Sequence, residues 1–332
     1  MERVATLGRS ALHVPRLGVG AMTWGDPSGL ARWSPAKLAY GGADGPDGEA
    51  MAFEASVAGG VTLFDTASMY SGGASERRLG ELARGADVLI ATKFPPSLRS
   101  RTDDMPRELD ASLARLQRTS VDLYMHHFPS RWVGIPKLMN LMADAVEQGK
   151  IRAVGVSNYS AAQMRTAHAA LAERGIPLAS NQVEYSLLHR QPETDGVLDA
   201  CRELGVTLIA NQPLANGALT GKYAAGTRPT GFRRFMGRFR GKGRETVGPV
   251  VALLREIGEH YGKSPAQVAL RWLFEDELVL PIPGAKNGRQ AADNAGALGF
   301  SLTPTEIEAL DLATQTWRPG PRAGVAGLSG RP

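Results

Sequence analysis

Short apolar runs rich in β-branched residues recur along the chain, and longer stretches with apolar positions at helical spacing lie between them. The runs are Leu17-Gly18-Val19-Gly20, Val61-Thr62-Leu63-Phe64, Val88-Leu89-Ile90-Ala91, Val121-Asp122-Leu123-Tyr124-Met125, Ala153-Val154-Gly155-Val156, Asn181-Gln182-Val183-Glu184, Val206-Thr207-Leu208-Ile209-Ala210 and Leu278-Val279-Leu280-Pro281-Ile282. Near-continuous runs of this length suit strands buried on both faces. Between them, Pro106 to Leu116 carries Leu109, Leu113 and Leu116 along one helical face, and Pro136 to Gln148 carries Leu138, Leu141, Met142 and Val146. Ser75 to Leu82, Glu193 to Leu204 and Pro249 to Tyr261 read as further helices. Ser264-Pro265-Ala266-Gln267 opens another, with a serine cap and proline in the first turn. Strands alternating with helices predict a parallel sheet with crossover helices. Eight such units in 332 residues fit an α/β chain folded as a closed (β/α)8 TIM barrel.

Three segments stand outside the repeat. Residues 3–16 read as an N-terminal β-hairpin with Leu7-Gly8-Arg9-Ser10 at its turn, placed at the barrel floor. The Gly- and Pro-rich segment Asp26 to Asp47 and the stretch 215–248 are long loops at the C-terminal mouth, where barrel active sites are built. No composition break divides the chain, so residues 1–332 are expected to form a single domain.

Composition narrows the classes. Hydrophobic residues make up 43% and charged residues 21%, the balance of a chain that buries a core, which excludes disorder. No stretch approaches the roughly 18 apolar residues of a spanning helix. Met1-Glu2-Arg3 does not open a secretory signal, and the single cysteine, Cys201, excludes an intramolecular disulfide. These features predict a cytoplasmic protein. Net charge is +5, and signs are mixed except from Arg228 to Arg244, where Arg228, Arg233, Arg234, Arg238, Arg240, Lys242 and Arg244 occur with no acid between them. That segment reads equally as a solvated loop or as an anion site, and a phosphorylated small molecule suits it as well as a polymer does.

Polar residues cluster at the strand ends. Asp65 follows Val61–Phe64, Lys93 follows Val88–Thr92, His127 follows the Leu123–His126 segment, Ser157 and Asn158 follow Val156, and Gln182 lies within the sixth strand. In a barrel all point to one mouth. A tyrosine with a pKa near 10 is a weak acid–base catalyst at neutral pH. Tyr70, five residues after Asp65, would be activated by a nearby lysine ammonium that stabilises its phenolate, with Asp65 holding that lysine. His127 would orient a substrate oxygen. The four residues suit proton transfer to a carbonyl oxygen as hydride reaches its carbon. The chain has no nucleophile elbow, no pair of His ligands on one helix and no Gly-rich dinucleotide fingerprint.

The segment from Gly60 through Asp65-Thr66-Ala67-Ser68-Met69 to Tyr70 resembles the first signature of the aldo-keto reductases. Ile90-Ala91-Thr92-Lys93 is similar to the family's lysine strand and Val121 to Pro129 to its histidine strand. Gly155-Val156-Ser157-Asn158 and Asn181-Gln182-Val183-Glu184 resemble its nicotinamide-site strands, and Pro281 to Asn287, continuing to Asp293-Asn294, the segment that holds the adenosine phosphate. The resemblance implies a catalytic tetrad of Asp65, Tyr70, Lys93 and His127, with Tyr70 the acid in reduction and the base in the reverse reaction. His126 falls on an apolar strand position of the family pattern, so His127 takes the role.

The resemblance also implies NADPH/NADP+ bound without a Rossmann fold. Ser157, Asn158 and Gln182 would meet the carboxamide. Met22, Asp65, Asn211, Pro213, Leu214, Gly217, Lys222, Gly284, Lys286, Gln290, Asp293 and Asn294 would line the rest of the cofactor. The substrate, a small carbonyl compound, would meet Trp24, Tyr70, His127 and Phe128. Trp33, Tyr40 and Trp132 are further aromatic positions near the mouth. Neither nucleic acid, membrane nor metal is expected as a partner.

Two positions depart from the family pattern. Ala210-Asn211-Gln212-Pro213-Leu214 carries asparagine where the family usually stacks an aromatic on the nicotinamide, and Gln290 stands where many members carry an arginine for the 2′-phosphate. Phosphate recognition then passes to Lys286 and the arginine-rich segment. Two alternatives are a cofactor-binding regulatory subunit of the same fold with slow catalysis, like the potassium-channel β subunits, and a metal-dependent barrel hydrolase using His126, His127 and an aspartate.

Overall fold

A computed structural model describes residues 4–26, 43–96, 104–223, 227, 229 and 231–319. Trp33, Tyr40, Arg228 and most of the segment from Asp26 to Asp47 lie outside the described residues. Strands β1 (Val4–Thr6) and β2 (His13–Pro15) pair antiparallel, Val4 against Pro15, as the expected hairpin. Its turn residue Gly8 takes φ +56°, and a side chain there would run into the carbonyl of Ala179. Leu7, Leu12 and Val14 join the apolar cluster inside the barrel, so the hairpin stops the floor.

The expected eight parallel strands all form: β3 (Gly18–Gly20), β4 (Leu63–Asp65), β5 (Leu89–Phe94), β6 (Val121–His126), β7 (Ile151–Ser157), β8 (Leu178–Glu184), β9 (Thr207–Asn211) and β10 (Val279–Pro281). They pair in sequence order from β3 to β10, and a parallel bridge from Gly20 to Gly284 joins the two ends. The Gly20 N–H donates to the Pro283 carbonyl at 3.0 Å along that seam. The result is a (β/α)8 barrel.

The two-residue pleat positions the site. Leu63, Leu89, Ala91, Leu123, Ala153, Ile209 and Leu280 face the interior and close it with apolar side chains. Asp65, Lys93 and Asn211 share their parity one step nearer the C-terminal end, so they stand in the same lumen above an apolar floor. Phe64, Ile90, Tyr124, Val154 and Leu208 take the opposite parity and pack outward on the helices.

Helices α1 (Gly45–Ala58), α2 (Ala74–Leu82), α3 (Asp104–Leu116), α4 (Ile135–Glu147), α5 (Ala161–Ala172), α6 (Val197–Leu204), α7 (Gly241–Tyr261), α8 (Pro265–Leu273), α9 (Gly288–Ala295) and α10 (Pro304–Ala313) cover the strands or follow the barrel. The serine cap at Ser264 is present as a reciprocal capping box with Gln267. The stretch from Glu193 to Leu204 is not one helix. A short 3-10 turn, Gln191–Glu193, is separated from α6 by Gly196 at φ +85°. Pro249 does not start its helix either. It lies inside α7, which begins at Gly241, so the mouth insertion ends before residue 248. Two 3-10 turns, Gly231–Phe235 and Gly237–Phe239, precede α7, and Phe239 is buried edge-on against Tyr223.

Candidate active site

Asp65 ends β4 and Lys93 stands on β5, where the pleat turns both side chains inward. Lys93 Nζ is fully buried and donates to Asp65 Oδ1 at 2.6 Å and to the Thr66 carbonyl at 2.8 Å. Nζ lies 5.0 Å from the centroid of the Tyr70 ring, where the ammonium and the phenol interact. Tyr70 opens a 3-10 turn in which Ser71 takes φ +51° and Gly72 +62°, an unusual backbone that folds the phenol back over the lysine. His127 follows β6, its ring edge-on to Tyr70 at 5.7 Å and stacked under Phe128 at 4.5 Å. The four residues expected from the sequence as a tetrad are therefore brought together.

Their electrostatics follow from burial. Burial alone would lower Lys93, but Asp65 and Tyr70 beside it reverse that and hold it above the usual lysine range, so the ammonium stays charged. Burial pushes the Tyr70 phenol above its ordinary value, with Lys93 pulling it back. The expectation that the lysine brings this tyrosine down is thus correct for the sign of its effect but not for the net result, because burial is the larger cause. Burial, Lys93 and His126 bring His127 to about 3, so its imidazole is neutral near pH 7. Among the described residues its buried Nδ1 has no hydrogen-bond partner, and the ring packs against Tyr70 and Phe128. His126 points to the other side of the sheet, where its Nδ1 meets the Tyr159 hydroxyl at 2.8 Å against Phe94. The two histidines do not converge, and among the described residues no group of three His, Cys, Asp or Glu side chains could hold a metal ion.

The residues expected at the nicotinamide share the same mouth. Ser157 Oγ donates to the Gln182 carbonyl at 2.8 Å and accepts from Asn158 Nδ2 at 3.0 Å. Asn158 is exposed at φ +60°, with Nδ2 also donating to the His127 carbonyl. Gln182 departs from expectation. Its Nε2 donates to Asp65 Oδ2 at 2.9 Å, so that amide group faces the carboxylate that pairs with Lys93. Sequence reasoning missed this contact, since 117 positions separate the pair.

Beyond β9, half-buried Asn211 leads into a loop where Gln212, Ala215, Asn216 and Gly217 all have positive φ. Pro213 is buried, Leu214 packs on the core and Asn216 Oδ1 is buried without a partner. Lys222 is exposed, as is Gly284 across the mouth. Lys286 is held below the usual lysine value by burial and by Arg233 and Lys222, with Asp44 opposing them. Three cations therefore gather where the phosphate site was expected.

Gln290, Asp293 and Asn294 serve that segment differently from expectation. Gln290 Oε1 accepts from the Lys286 backbone at 3.0 Å, both Asp293 oxygens accept from the Ser264 hydroxyl, and Asn294 Nδ2 reaches the Gly284 carbonyl at 3.3 Å. They brace the turn that presents Lys286. Trp24 is a correction as well. It is fully buried, its Nε1 donating to the Ala285 carbonyl at 2.7 Å, so packing has removed it from the substrate space. Met22 is half-buried, whereas Met69 at 50%, Phe128 at 41% and Trp132 at 61% exposure leave an apolar rim on the loops beside Tyr70 and His127.

A (β/α)8 barrel whose mouth holds a buried lysine–aspartate pair beside a tyrosine and a neutral histidine is the frame of an enzyme of the barrel class. The chain is a member of the aldo/keto reductase family, whose family model matches residues 16–314. It is therefore an oxidoreductase acting on carbonyls, of a family that generally uses a nicotinamide cofactor. It is 35% identical to the chloroplastic pyridoxal reductase of Arabidopsis thaliana over 92% of this chain and 84% of that protein. Identity is 34% to the aldo-keto reductase yakc [NADP(+)] of Schizosaccharomyces pombe, over 75% of this chain and 77% of that one. The thermostable aldo-keto reductase Tm1743, solved with the inhibitor epalrestat, superposes with a TM-score of 0.71 at 29% identity, covering 93% of this chain and 99% of that structure.

Proposed function

We propose that this protein reduces a small aldehyde or ketone with NADPH, with Tyr70 as the proton donor, and oxidises the alcohol in reverse. The observation that carries this reading is the buried Lys93 ammonium held between the Asp65 carboxylate and the Tyr70 hydroxyl. When bound, the cofactor supplies the hydride that reaches the carbonyl carbon. Tyr70 gives its proton to the carbonyl oxygen as negative charge develops there, and Lys93 stabilises the phenolate left behind. Asp65 keeps the lysine charged and aimed. His127, being neutral, offers a hydrogen bond to the substrate oxygen without competing for the proton.

The residues present fit a phosphorylated dinucleotide. Lys222, Arg233 and Lys286 gather positive charge beside the α9 N-terminus, and the buried Asn216 Oδ1 marks a polar position in the loop that leads there. That cluster supports NADPH over NADH, as does the cofactor in the name of the fission-yeast relative. The pyridoxal reductase relative supports a small aromatic aldehyde as substrate, in keeping with the apolar rim of Met69, Phe128 and Trp132.

Asn211, in place of an aromatic, favours a second reading in which the same site binds cofactor but turns over slowly. NADPH oxidation over a panel of aldehydes, pyridoxal included, decides between them. Turnover by the wild type and its loss in Tyr70→Phe supports the reductase. Tight NADPH binding without turnover supports the slow alternative.

A further inference from the structure

We propose that Gln182 is a positioning residue of the proton donor, acting through Asp65 on the Lys93–Tyr70 pair. This rests on the reductase reading above. The argument begins with how the Asp65 carboxylate is satisfied. It is nearly fully buried, and an ionised carboxylate in such a place needs a donor on each oxygen. Lys93 Nζ supplies Oδ1 at 2.6 Å and Gln182 Nε2 supplies Oδ2 at 2.9 Å. Both bonds converge on the carboxylate, which accepts from the Gln182 amide on one oxygen and from the Lys93 ammonium on the other, and that ammonium lies 5.0 Å from the centroid of the Tyr70 ring.

The titratable groups facing this line are few. Asp65 is faced by Lys93 from β5 and by Tyr70 from the turn after β4, and His127 faces Lys93 from the end of β6. Gln182, on β8, is the neutral member that reaches the second carboxylate oxygen. Burial pushes Asp65 above the usual carboxylate range, while Lys93 and the Gln182 hydrogen bond pull it down. Without the amide donor, Asp65 takes up a proton at a higher pH. Once it is neutral, the Lys93 ammonium is no longer held by an ion pair, and its hold on the Tyr70 hydroxyl loosens.

The test compares wild type, Gln182→Met and Gln182→Glu by the pH dependence of kcat for NADPH-dependent aldehyde reduction, with NADPH binding followed by fluorescence at each pH so that loading is known. A charge-assisted hydrogen bond lost from a buried carboxylate corresponds to a shift of about one to two pH units. Gln182→Met, near in length but unable to donate, should move the acid limb upward by that amount. Gln182→Glu should leave the limb near its wild-type position, because two carboxyl groups sharing one proton restore an O–H donor to Asp65.

A readout without cofactor accompanies these. The infrared band of a protonated buried carboxyl should appear at higher pH in Gln182→Met than in wild type and vanish when Asp65→Asn is added. An acid limb and carboxyl band that stay in place in Gln182→Met, whatever happens to NADPH affinity, overturn the proposal and leave Gln182 a cofactor contact alone. Failure of the wild type to reduce any aldehyde sinks the reductase reading instead, and the carboxyl band then still decides whether Gln182 sets the state of Asp65.

Discussion

The indole N–H of Trp24 donates to the carbonyl oxygen of Ala285 at 2.7 Å, tying the end of the first barrel strand to the turn after the last. Both residues are fully buried, so the bond sits in the seam where the barrel closes. Trp24→Phe should keep most of the apolar packing but leave that carbonyl without its donor, a loss of about 1–3 kcal/mol. Urea unfolding measures it. The ranking of aldehyde substrates should stay the same, and a changed ranking with unchanged stability would return Trp24 to the substrate space.

Tyr70→Phe should lower carbonyl reduction by roughly 10²- to 10⁴-fold while NADPH still binds, because the hydroxyl acts mainly in the transition state. Lys93→Met should also impair turnover, as it removes the cation that stabilises the phenolate. It carries an added stability loss, since Asp65 is left as a buried carboxylate without its ion-pair partner. Steady-state kinetics beside cofactor titration separates the two. Turnover near wild type in Tyr70→Phe would dismiss this phenol as the donor.

Cofactor choice should follow the three cations. Lys286→Ala or Arg233→Ala should weaken NADPH by about 10- to 100-fold, the range of one charge-assisted contact, and weaken NADH much less. The preference should shrink at high salt. Equal dissociation constants for NADH and NADPH at low ionic strength would contradict the assignment of the cluster to the 2′-phosphate.

Acid should destabilise the fold through its two adjacent histidines. Burial brings His126 to about 4, and burial, Lys93 and His126 bring His127 to about 3, both below the ordinary value of 6.5. Above pH 6.5 both states are neutral at these positions and no penalty exists. As pH falls from 6.5 toward 4, the unfolded chain binds two protons that the native protein refuses. The unfolding free energy then drops by about 1.4 kcal/mol per pH unit for each imidazole. His126→Asn should reduce the pH slope between 6 and 4.5 by about that amount relative to wild type. An identical slope in the variant would show that His126 takes its proton in the folded state.

Asn211→Tyr places an aromatic face at the mouth end of β9. It should tighten NADPH binding several-fold, the equivalent of about 0.5–1.5 kcal/mol, and slow turnover if cofactor release limits the rate. Phe235 from the insertion is more than half exposed and lies under the Arg234 guanidinium. Unchanged or weaker binding in fluorescence titration would mean that no stacking surface is missing at Asn211.

The barrel was legible because its strands are buried on both faces and read as apolar runs, and because the polar residues that end them share one parity. Asp65, Lys93 and His127 were readable from position alone, and Tyr70 from its distance to Asp65. The helices that escaped notice bury alanine instead of a leucine stripe. In α5, Ala167 and Ala170 sit beside Met164 and Leu171 on the inner face. Pro249 misled because proline usually opens a helix, whereas here buried Val247 and Val250 carry α7 across it. The contact of Gln182 with Asp65 crosses the barrel, and that of Trp24 with Ala285 closes its seam. Only closure of the sheet sets such distances, and a linear pattern holds no record of them.

The hairpin under the barrel has a consequence for traffic. With Leu7, Leu12 and Val14 stoppering one end and a layer of aliphatic side chains above them, the lumen is a well closed at its floor. On the reductase reading, substrate and product would pass the exposed Met69, Phe128 and Trp132 at the other end. A substrate seated there would cork the well, so that the hydrogens on Lys93 and Tyr70 would exchange with solvent only between visits. On that reading each turnover would draw on the one proton waiting inside when the substrate arrived.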